Sequence, residues 1–494
     1  MPGRRVHAPL AYLPSGWTPD VTMTIGADGR FEDVRAGAAS LGQGSGAVEP
    51  AGGVVLPGMV NAHSHAFQRA MLGLTYAASP EGDNFWSWRT LMYQLALRLT
   101  PAQVEAIAAW VYTEMLRGGY THVCEFHYLH NAPDGRPYAD PAELSRAVLR
   151  AAARAGIGIT LLPVLYMAGG FGGQPPRDEQ RRFLSTPDRL LELIRTLTSE
   201  HQWEHQSEHR SEHRTGRHND LQCAFGLAPH SLRAVPPAAL REAIDGLARI
   251  APEAPIHIHI AEQTGEVDAC VQWSGKRPVE WLLDQQPIDV RWNLVHATHM
   301  TADESSRVAA AGATVVLCPT TEADLGDGTF AFRDYASRGG RFAIGSDSQV
   351  SRDWQSELRM LEYSQRLLLQ ERNVGAMVSE VAAQRAGQAG GASMERSTGE
   401  ALFTAALSGG AAASGRALSR IEPGARADWV VVREDKLAFA ARPPERYLDS
   451  LIFDHHPADF TDVVVAGRSR RASLEGDAYR ATRQAFVQTL NDIR

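Results

Sequence analysis

The sequence has 494 residues and a formal net charge of −8, with 44% hydrophobic and 21% charged residues. This composition is that of an ordinary folded protein, long enough for one barrel-sized domain and a smaller one, and it argues against wholesale disorder and against a membrane protein. The net negative charge argues against a broad basic surface, so we expect neither a nucleic-acid partner nor a membrane partner.

The first segment, MPGRRVHAPLAYLPSGW, has two arginines but no apolar run behind them, so it lacks the middle region of a secretory signal. No stretch approaches the length of a transmembrane span. The four cysteines lie far apart and fit neither a disulfide framework nor a paired zinc knuckle. They are Cys124, Cys223, Cys270 and Cys318. We therefore predict a cytoplasmic protein with four buried, inert thiols.

Short apolar runs alternate with helix-like stretches from about Val54 to about Val350, a pattern typical of repeated strand–helix units around a parallel sheet. Eight runs qualify as strands, and in chain order they begin at Val54, Tyr120, Gly158, Leu221, Pro255, Arg291, Ala313 and Phe342. Eight parallel strands separated by helices predict an α/β fold with a closed (β/α)8 barrel. An open doubly wound sheet is the alternative, but no glycine-rich phosphate loop follows the first strand.

Both ends of the chain contain short strands and turns that lie outside the barrel pattern. The residues before Val54 are rich in glycine and weakly β-like, and the later segments SRIEPGARADWVVVRED and DFTDVVVAGRS also read as strands. We predict that these strands pair in a small composite β-sandwich domain and that a helix around GDAYRATRQAFVQTLNDI closes the chain. The predicted division is residues 1–57 for the first part of this domain, 58–400 for the barrel, and 401–494 for the second part with the terminal helix.

A short imperfect repeat, SEHQWEHQSEHRSEHRTGRHND, occupies residues 199–220 and carries five histidines. Its polar composition and its place between a helix and the fourth strand favour a solvated surface loop inserted in the barrel. A histidine-rich metal-binding segment is the alternative.

Polar side chains recur at the C-terminal ends of the predicted strands, where the chemistry of a barrel collects. The first strand ends in His63 and His65, and Asp347 ends the eighth. Because a strand alternates its faces with a period of two, His63 and His65 point the same way. The same holds for His257 and His259 on the fifth strand. Three imidazoles and a carboxylate, with one position open for water, suit a hydrolytic divalent metal site.

Two choices remain within this pattern. A metal near the C-terminal mouth favours His259 over the deeper His257, for which we expect a structural hydrogen-bond partner. On the sixth strand, His296 directly follows the apolar run NLV and is better placed inside the mouth than His299, which reads as a loop residue. The predicted metal ligands are therefore His63, His65, His259 and Asp347.

The runs PGMVNAHSH, HIAE, LVHATH and GSD resemble the amidohydrolase superfamily, in the branch that holds one metal with these ligands. The longer runs NAHSHAFQRAMLG, APHSLRAV, HIAEQTGEVDACVQWSGKRPVEWL, CPTTEADLGDG and IGSDSQVS resemble, within it, the family of N-formimidoyl-L-glutamate deiminases, enzymes of histidine degradation. The resemblance covers about residues 50 to 435, apart from the histidine-rich segment.

The resemblance implies metal-dependent hydrolysis of a formimidoyl group, which releases ammonia and leaves N-formyl-L-glutamate, and it implies a homodimer. For catalysis we expect Asp347 to accept a proton from water, His296 to stabilise charge in the tetrahedral intermediate, and Glu262 to pass a proton to the departing nitrogen. Zinc is the expected ion because the role is redox-inert, but this ligand set also accepts iron or manganese.

A substrate with two carboxylates calls for arginine, whose planar fork meets a carboxylate with two hydrogen bonds. The family places a glutamine, two arginines, a tyrosine and a histidine above the barrel. The positions that match by motif are Gln68, Arg89, Tyr128, His230 and Arg233. Two other functions stay open. One is a deaminase or amide hydrolase for a ring substrate, which would need aromatic stacking surfaces in place of two arginines; the other is a non-catalytic metal-binding protein that depends on the histidine-rich segment.

Overall fold

The computed structural model describes residues 3–37, 47–76, 83–208, 223–385, 397–433, 439, 441–454 and 460–493. The strands within these ranges are β1 Arg4–Leu13, β2 Gly16–Ile25, β3 Phe31–Ala36, β4 Val48–Pro50, β5 Val54–Pro57, β6 Met59–Ser64, β7 Tyr120–His127, β8 Gly158–Leu165, β9 Cys223–Phe225, β10 Ala228–Pro229, β11 Ile256–Ile260, β12 Trp292–His296, β13 Thr314–Leu317, β14 Arg341–Ile344, β15 Trp429–Val432, β16 Phe460–Val465 and β17 Arg468–Ser469. The α-helices are α1 Phe85–Ala96, α2 Pro101–Arg117, α3 Glu143–Ala155, α4 Pro187–Glu208, α5 Pro237–Ile250, α6 Thr264–Ser274, α7 Pro278–Gln285, α8 Ala302–Ala311, α9 Pro319–Leu325, α10 Phe332–Ser337, α11 Trp354–Leu369, α12 Met377–Arg385, α13 Thr398–Ser414, α14 Tyr447–Phe453, α15 Arg471–Leu474 and α16 Gly476–Asp492.

The strands from β6 to β14 form a closed parallel barrel. One run of pairs joins β6, β7, β8 and the short strands β9 and β10, and a second joins β11, β12, β13 and β14. Parallel bridges between Leu227 and Ile256 and between Ser64 and Asp347 connect the two runs. The parallel order, with helices between the strands, confirms the predicted (β/α)8 barrel. Strands β7 and β8 are buried along their whole length, as expected for strands covered on both faces.

The first predicted strand is in fact two strands, because the chain passes from one sheet to another at Gly58. Strand β5 pairs outside the barrel and ends at Pro57, and β6 starts the barrel at Met59, with only Gly58 between them. A Cβ atom at Gly58 would lie 2.3 Å from Oγ1 of Thr121, so only glycine fits at this crossing. The apolar run therefore predicted the strand segments but not the break between them.

Both ends of the chain meet in a second sheet. Its order is β17–β16–β15–β5–β1–β2–β3, with β4 paired to β1. Strand β15, from the end of the chain, pairs antiparallel with β5, and β5 pairs with β1. The N- and C-terminal segments thus pair with each other, as predicted, but the described strands form a single sheet and not the two sheets of the predicted β-sandwich. The boundaries 1–57, 58–400 and 401–494 stay predictions.

A buried ion pair fastens this sheet to the bottom of the barrel. Nε of Arg426 donates to Oδ2 of Asp428 at 2.8 Å, and both residues are 1% exposed. The same guanidinium reaches the barrel strand β7, where Nη2 donates to the carbonyl oxygen of Thr121 at 3.3 Å and Nη1 lies 3.3 Å from Nδ1 of His122. The other oxygen of Asp428 accepts the backbone N–H of Ala466 at 2.8 Å.

The histidine-rich segment is only partly a loop. Helix α4 continues to Glu208, so the first half of residues 199–220 is helical where a surface loop was predicted. No glycine or proline interrupts the sequence between Pro187 and Gly216, which explains why the helix does not end at Ser199. Residues 209–222 lie outside the described residues.

Two smaller predictions have mixed outcomes. The predicted terminal helix is α16, which packs against α2 with Phe486 stacked on Trp110. Three cysteines are buried as predicted, but Cys223 is only half-buried because it lies on the short strand β9, whose residues are all partly exposed. Among the described helices, none is long and apolar enough to cross a membrane.

Candidate active site

Three histidine side chains converge at the C-terminal mouth of the barrel. Nε2 of His63 lies 3.1 Å from Nε2 of His65 and 3.1 Å from Nε2 of His259. Oδ1 of Asp347 is 3.3 Å from Nε2 of His65 and 3.7 Å from Nε2 of His63. All four residues are buried. The structure therefore brings together the four residues predicted to hold a metal.

The ends of two barrel strands, β6 and β14, lie next to each other and place His63, His65 and Asp347. Strand β6 carries His63, and His65 follows it at the strand end. The backbone N–H of His65 donates to the carbonyl of Asp347 at 3.1 Å, and the N–H of Asp347 donates to the carbonyl of His63 at 3.0 Å. Asp347 has a φ of +46°, a left-handed conformation that is uncommon outside glycine and often marks a functional site.

The hydrogen bonds on the outer side of the imidazoles test whether this cluster suits a metal. Nδ1 of His65 lies 2.9 Å from the carbonyl oxygen of Phe126, and Nδ1 of His259 lies 3.1 Å from that of His230. A carbonyl only accepts, so in both rings Nδ1 carries the proton and Nε2 turns a lone pair inward. Nε2 of His63 faces the Nε2 lone pairs of both His65 and His259, and it carries at most one proton. It can therefore donate a hydrogen bond to only one of those two nitrogens.

A cation would remove the remaining repulsion between inward lone pairs. Burial lowers the pKa of His65 to about 3, and it also lowers the pKa of His63 and of His259 well below the usual value. The three rings are therefore neutral at neutral pH, which is the form that binds metal. Neutral imidazoles whose outer nitrogens hydrogen-bond to carbonyls are the usual surroundings of histidine ligands. The donor set fits a divalent metal ion.

A fourth histidine, His296, faces the same centre from the end of β12. Its Nε2 lies 3.7 Å from Oε1 of Glu262 and 3.7 Å from Oδ2 of Asp347, and its φ is +65°. Its Nδ1 lies 3.2 Å from Oε1 of Glu322, which also accepts the backbone N–H of Cys318 at 2.8 Å. Burial alone would lower the pKa of His296, but the surrounding carboxylates outweigh it and raise that pKa to about 10.

Glu322 is a site residue that sequence reasoning missed. It lies in α9, directly after β13, within the run CPTTEADLGDG that carried part of the resemblance. The signal was present, because a carboxylate in the first turn after a barrel strand points to the C-terminal face. By accepting from Nδ1 of His296, Glu322 orients that ring so that Nε2 faces the cavity.

His63, His65, His259 and Asp347 are called the metal-type cluster below. One cavity joins this cluster to all five residues predicted to bind substrate. Its lining includes Gln68, Arg89, Tyr128, His230 and Arg233 together with His65, His259, Glu262, His296 and Asp347. Aromatic side chains complete the wall, namely Phe85, Trp88, Tyr93, Tyr128 and Tyr166. Tyr93 and Tyr166 were not predicted to line this cavity. Their hydroxyls are bridged by Nε2 of the buried Gln180, at 3.1 and 2.8 Å.

The two arginines present unpaired donors to this cavity. Cζ of Arg89, on α1, lies 4.4 Å from the ring centroid of Trp86, and Cζ of Arg233 lies 5.9 Å from the same centroid. Arg233 is 4.0 Å from Glu262 and 3.8 Å from Glu266, too far for good hydrogen bonds. Within the part of the chain that the structure describes, no carboxylate lies within 4.0 Å of the Arg89 guanidinium.

The other three predicted substrate residues, Gln68, Tyr128 and His230, line the same cavity. The hydroxyl of Tyr128 lies 3.2 Å from Nε2 of His230, whose Nδ1 lies 2.8 Å from the hydroxyl of Ser231. Gln68 is in a short 3-10 helix, Ala66–Met71, and is 3% exposed. Its Oε1 has no hydrogen-bond partner among the described residues, so this amide is available to a ligand.

The two histidines that were set aside have structural partners. Nε2 of His257 lies 2.8 Å from the carbonyl oxygen of Ala413 on α13. Nε2 of His299 lies 2.8 Å from the carbonyl oxygen of Asp327. Neither histidine is among the residues that line the cavity.

Comparison with known proteins gives consistent matches. The model of the amidohydrolase family matches residues 54–470, and one described as "Formimidoylglutamate deiminase HutF, N-terminal domain" matches residues 4–44. A formimidoylglutamate deiminase from Pseudomonas aeruginosa is 43% identical over 493 residues, 99% of each chain. The crystal structure of an amidohydrolase from Brucella melitensis is 42% identical with a TM-score of 0.85, and the match covers 99% of each chain. An adenosine deaminase from Xanthomonas campestris with bound zinc shares the fold, with a TM-score of 0.72 at 20% identity over 100% of this chain and 98% of that one.

Proposed function

The chain belongs to the amidohydrolase family and is a homologue of formimidoylglutamate deiminase, a hydrolase; from this premise we propose that it hydrolyses N-formimidoyl-L-glutamate to N-formyl-L-glutamate and ammonia, a step of histidine degradation. The observation that carries the proposal is the shared cavity. The metal-type cluster and two arginines with unpaired donors line the same cavity, which matches a substrate that carries a reactive amidine and two carboxylates.

We propose that one Zn²⁺ is held by the four converging residues at the barrel mouth. They are His63, His65, His259 and Asp347. When bound, the ion lowers the pKa of a coordinated water and polarises the bond under attack. Three imidazoles and one carboxylate suit zinc in a redox-inert role, and the zinc-containing relative of the same fold supports this choice.

The side chains around this centre supply the proton transfers. Asp347 turns Oδ1 toward the histidine cluster and Oδ2 toward His296, so Oδ2 accepts the proton of the attacking water. The water oxygen bonds to the amidine carbon, and the C=N bond becomes single. Glu262, an ionised carboxylate across from His296 on the cavity wall, takes the remaining proton of the added hydroxyl group and passes it to the terminal nitrogen. The C–N bond breaks, ammonia leaves, and the carbon keeps its oxygen as the formyl group.

Charge complementarity favours this assignment of Glu262. A formamidine is cationic at neutral pH, and Glu262 is 5% exposed at the edge of the cavity, where its carboxylate can accept the N–H groups of the substrate. His296 lies 3.7 Å from this carboxylate and stabilises charge on the oxygen of the tetrahedral intermediate.

At the other end, the arginines bind the two carboxylates of the substrate. Arg89 and Arg233 carry planar donor forks, and both line the cavity on the side of Trp86. Gln68 and Tyr128 line the same cavity, where they can hydrogen-bond the glutamate backbone of the substrate. A linear dianionic end is the ligand that uses all of these donors.

The arginines also separate this function from the two alternatives. The aromatic side chains in the cavity wall would also suit a ring deaminase, but a neutral ring would have no use for the two guanidinium groups that line the same cavity. A non-catalytic metal protein would not need them. Supported by the family relationship, we further propose a cytoplasmic homodimer; sedimentation of the purified protein tests the assembly.

A substrate panel tests the proposed reaction. Purified Zn²⁺-loaded protein is assayed for ammonia with N-formimidoyl-L-glutamate, adenosine and guanine at equal concentrations. We expect ammonia from the first compound alone, with N-formyl-L-glutamate formed in equal amount. Ammonia from adenosine or guanine and none from the linear amidine would instead support a ring deaminase.

A further inference from the structure

Gln349 occupies a position that the proposed mechanism does not use, two residues after Asp347. It is 2% exposed and has a φ of +71°, in the left-handed region that disfavours residues other than glycine. A buried glutamine in such a conformation needs strong local contacts to hold it. Its side chain makes three hydrogen bonds, and all three go to segments that carry the proposed metal ligands.

These hydrogen bonds join the two strands whose ends meet at the barrel mouth. Nε2 of Gln349 donates to the hydroxyl of Ser64 at 2.9 Å and to the carbonyl oxygen of Asp347 at 2.9 Å. Its Oε1 accepts the hydroxyl of Ser346 at 2.9 Å. Ser64 lies between His63 and His65, and Ser346 directly precedes Asp347.

The network continues on both sides to other buried side chains. The Ser64 hydroxyl donates to Oε2 of Glu125 on β7 at 2.7 Å, and Oε1 of Glu125 accepts the backbone N–H of Ala66 at 2.7 Å. On the other side, Nδ2 of Asn61 donates to the Ser346 hydroxyl at 2.7 Å, and Oδ1 of Asn61 accepts the N–H of Ser346 at 3.0 Å. Gln349 is therefore the link between a carboxylate on β7 and the segment that follows β14.

The strand geometry explains why this link can act on the ligands. Side chains alternate along β6, so Ser64 points away from the centre on which His63 and His65 converge. The Ser64 hydroxyl is thus free to bond to Glu125 and Gln349 behind the ligands. A shift of Gln349 would move the loop of Asp347 relative to the histidine pair. The left-handed φ of Asp347 is unfavourable, so this loop would change conformation if its contacts were lost.

We propose that Gln349 is a positioning residue that holds Asp347 and the His63–His65 pair in register for metal binding. The proposal rests on the metal site proposed above. It does not make Gln349 a ligand, since both ends of its amide are engaged within the network. What matters is the Nε2 donor, because it alone reaches Ser64 and the Asp347 backbone at once.

The test replaces this donor without changing the size of the side chain. Gln349→Glu keeps the volume and one acceptor oxygen, but it loses both N–H groups. Metal-free protein is titrated with Zn²⁺ in competition with a chelating dye, and its folding is followed by circular dichroism. We expect Zn²⁺ to bind about 10-fold to 100-fold more weakly than to the wild type, the range found when an outer hydrogen bond to a ligand is lost.

A matched control separates positioning from the general cost of altering a buried amide. Gln365 on α11 is 1% exposed and donates from Nε2 to the carbonyl oxygen of Phe330 at 3.0 Å, with no contact to the network. Gln365→Glu removes the same kind of donor from a similar environment. We expect Zn²⁺ affinity equal to that of the wild type in this variant.

A double-mutant cycle tests whether Gln349 acts through Ser64. Ser64→Ala and Gln349→Glu remove the same hydrogen bond, so their combined loss of Zn²⁺ affinity should be smaller than the product of the two separate fold-changes. Wild-type affinity in Gln349→Glu, an equal loss in Gln365→Glu, or fully independent effects in the cycle would each overturn the proposal. Because no substrate is used, a wild type that binds Zn²⁺ but releases no ammonia overturns only the proposed reaction.

Discussion

The guanidinium group of Arg89 lies over the indole ring of Trp86, with Cζ 4.4 Å from the ring centroid. They are three positions apart on the same helix, α1, which begins after the capping residue Asn84 and so has a fixed first turn. The same ring has Arg233 5.9 Å from its centroid. Trp86 therefore lies next to both cations that the proposed substrate needs, although it is itself 41% exposed.

This relationship predicts that Trp86→Leu weakens substrate binding. A cation next to an aromatic face gains about 0.5–1 kcal/mol at a partly exposed site. Loss of two such contacts corresponds to a fall of about fivefold to thirtyfold in kcat/KM. The fall should come through KM, measured by steady-state kinetics on N-formimidoyl-L-glutamate. Trp86→Phe keeps a ring face and should retain most of the affinity, and an equal loss in both variants would contradict a role for the aromatic face.

Replacing Arg89 itself should have a larger effect. Arg89→Met keeps much of the length of the side chain but removes the charged donors. A hydrogen bond to a charged group contributes about 1.5–3 kcal/mol, so kcat/KM should fall by about 10-fold to 150-fold. An analogue that lacks one carboxylate should lose less on the same substitution. Arg98→Met, an exposed position just beyond α1, serves as the control and should leave the kinetics unchanged.

Replacing Glu262 should slow the chemical step, measured as kcat, more than it weakens substrate binding. Glu262→Gln preserves the shape of the side chain but cannot transfer a proton, and general acid–base groups contribute about 10²-fold to 10⁴-fold. We expect kcat to fall within that range, with a smaller rise in KM because the carboxylate also accepts the N–H groups of the substrate. Asp268→Asn, on an exposed position of α6, is the matched control. A kcat near the wild-type value in Glu262→Gln would assign the proton transfer to another group.

The ion pair below the barrel should affect stability and not the site. Asp428→Ala leaves Arg426 buried without its main partner, and breaking a buried pair in this way costs about 3–5 kcal/mol. We expect the free energy of unfolding in urea to fall by that amount. Asp477→Ala breaks an exposed ion pair with Arg480, in which the carboxylate of Asp477 is 99% exposed. This change should alter the free energy of unfolding by less than about 0.5 kcal/mol. If both substitutions changed the free energy of unfolding equally, the Arg426 guanidinium would have to become hydrated when Asp428 is removed, which would contradict the prediction.

Much of the barrel could be predicted because its strands are marked twice, once by apolar runs and once by the polar residues that end them. His63, His259 and Asp347 could be placed at one rim because each lies at the C-terminal end of a predicted barrel strand, and the structure brings them together. The break at Gly58 was missed because β5 and β6 are both fully buried and so look like one strand.

Residues that act through side-chain contacts were harder to find. Gln349 carries no pattern of its own, and the position of Glu322 after β13 indicates only which face of the barrel it lies on; their partners His296 and Ser64 come from other strands. The helical start of the histidine-rich segment was missed because polar composition was taken to indicate a loop, whereas α4 simply has no residue that stops it before Glu208.

The central claim is that the cluster at the barrel mouth and the arginine end of the cavity together hydrolyse N-formimidoyl-L-glutamate. The most direct measurement is ammonia release from this compound by Zn²⁺-loaded wild type and by Asp347→Asn, which keeps the size of the side chain but removes the proton acceptor. The wild type should release one ammonia for each N-formyl-L-glutamate formed, and the variant should release almost none. No ammonia from the wild type, or undiminished release from Asp347→Asn, would contradict the claim.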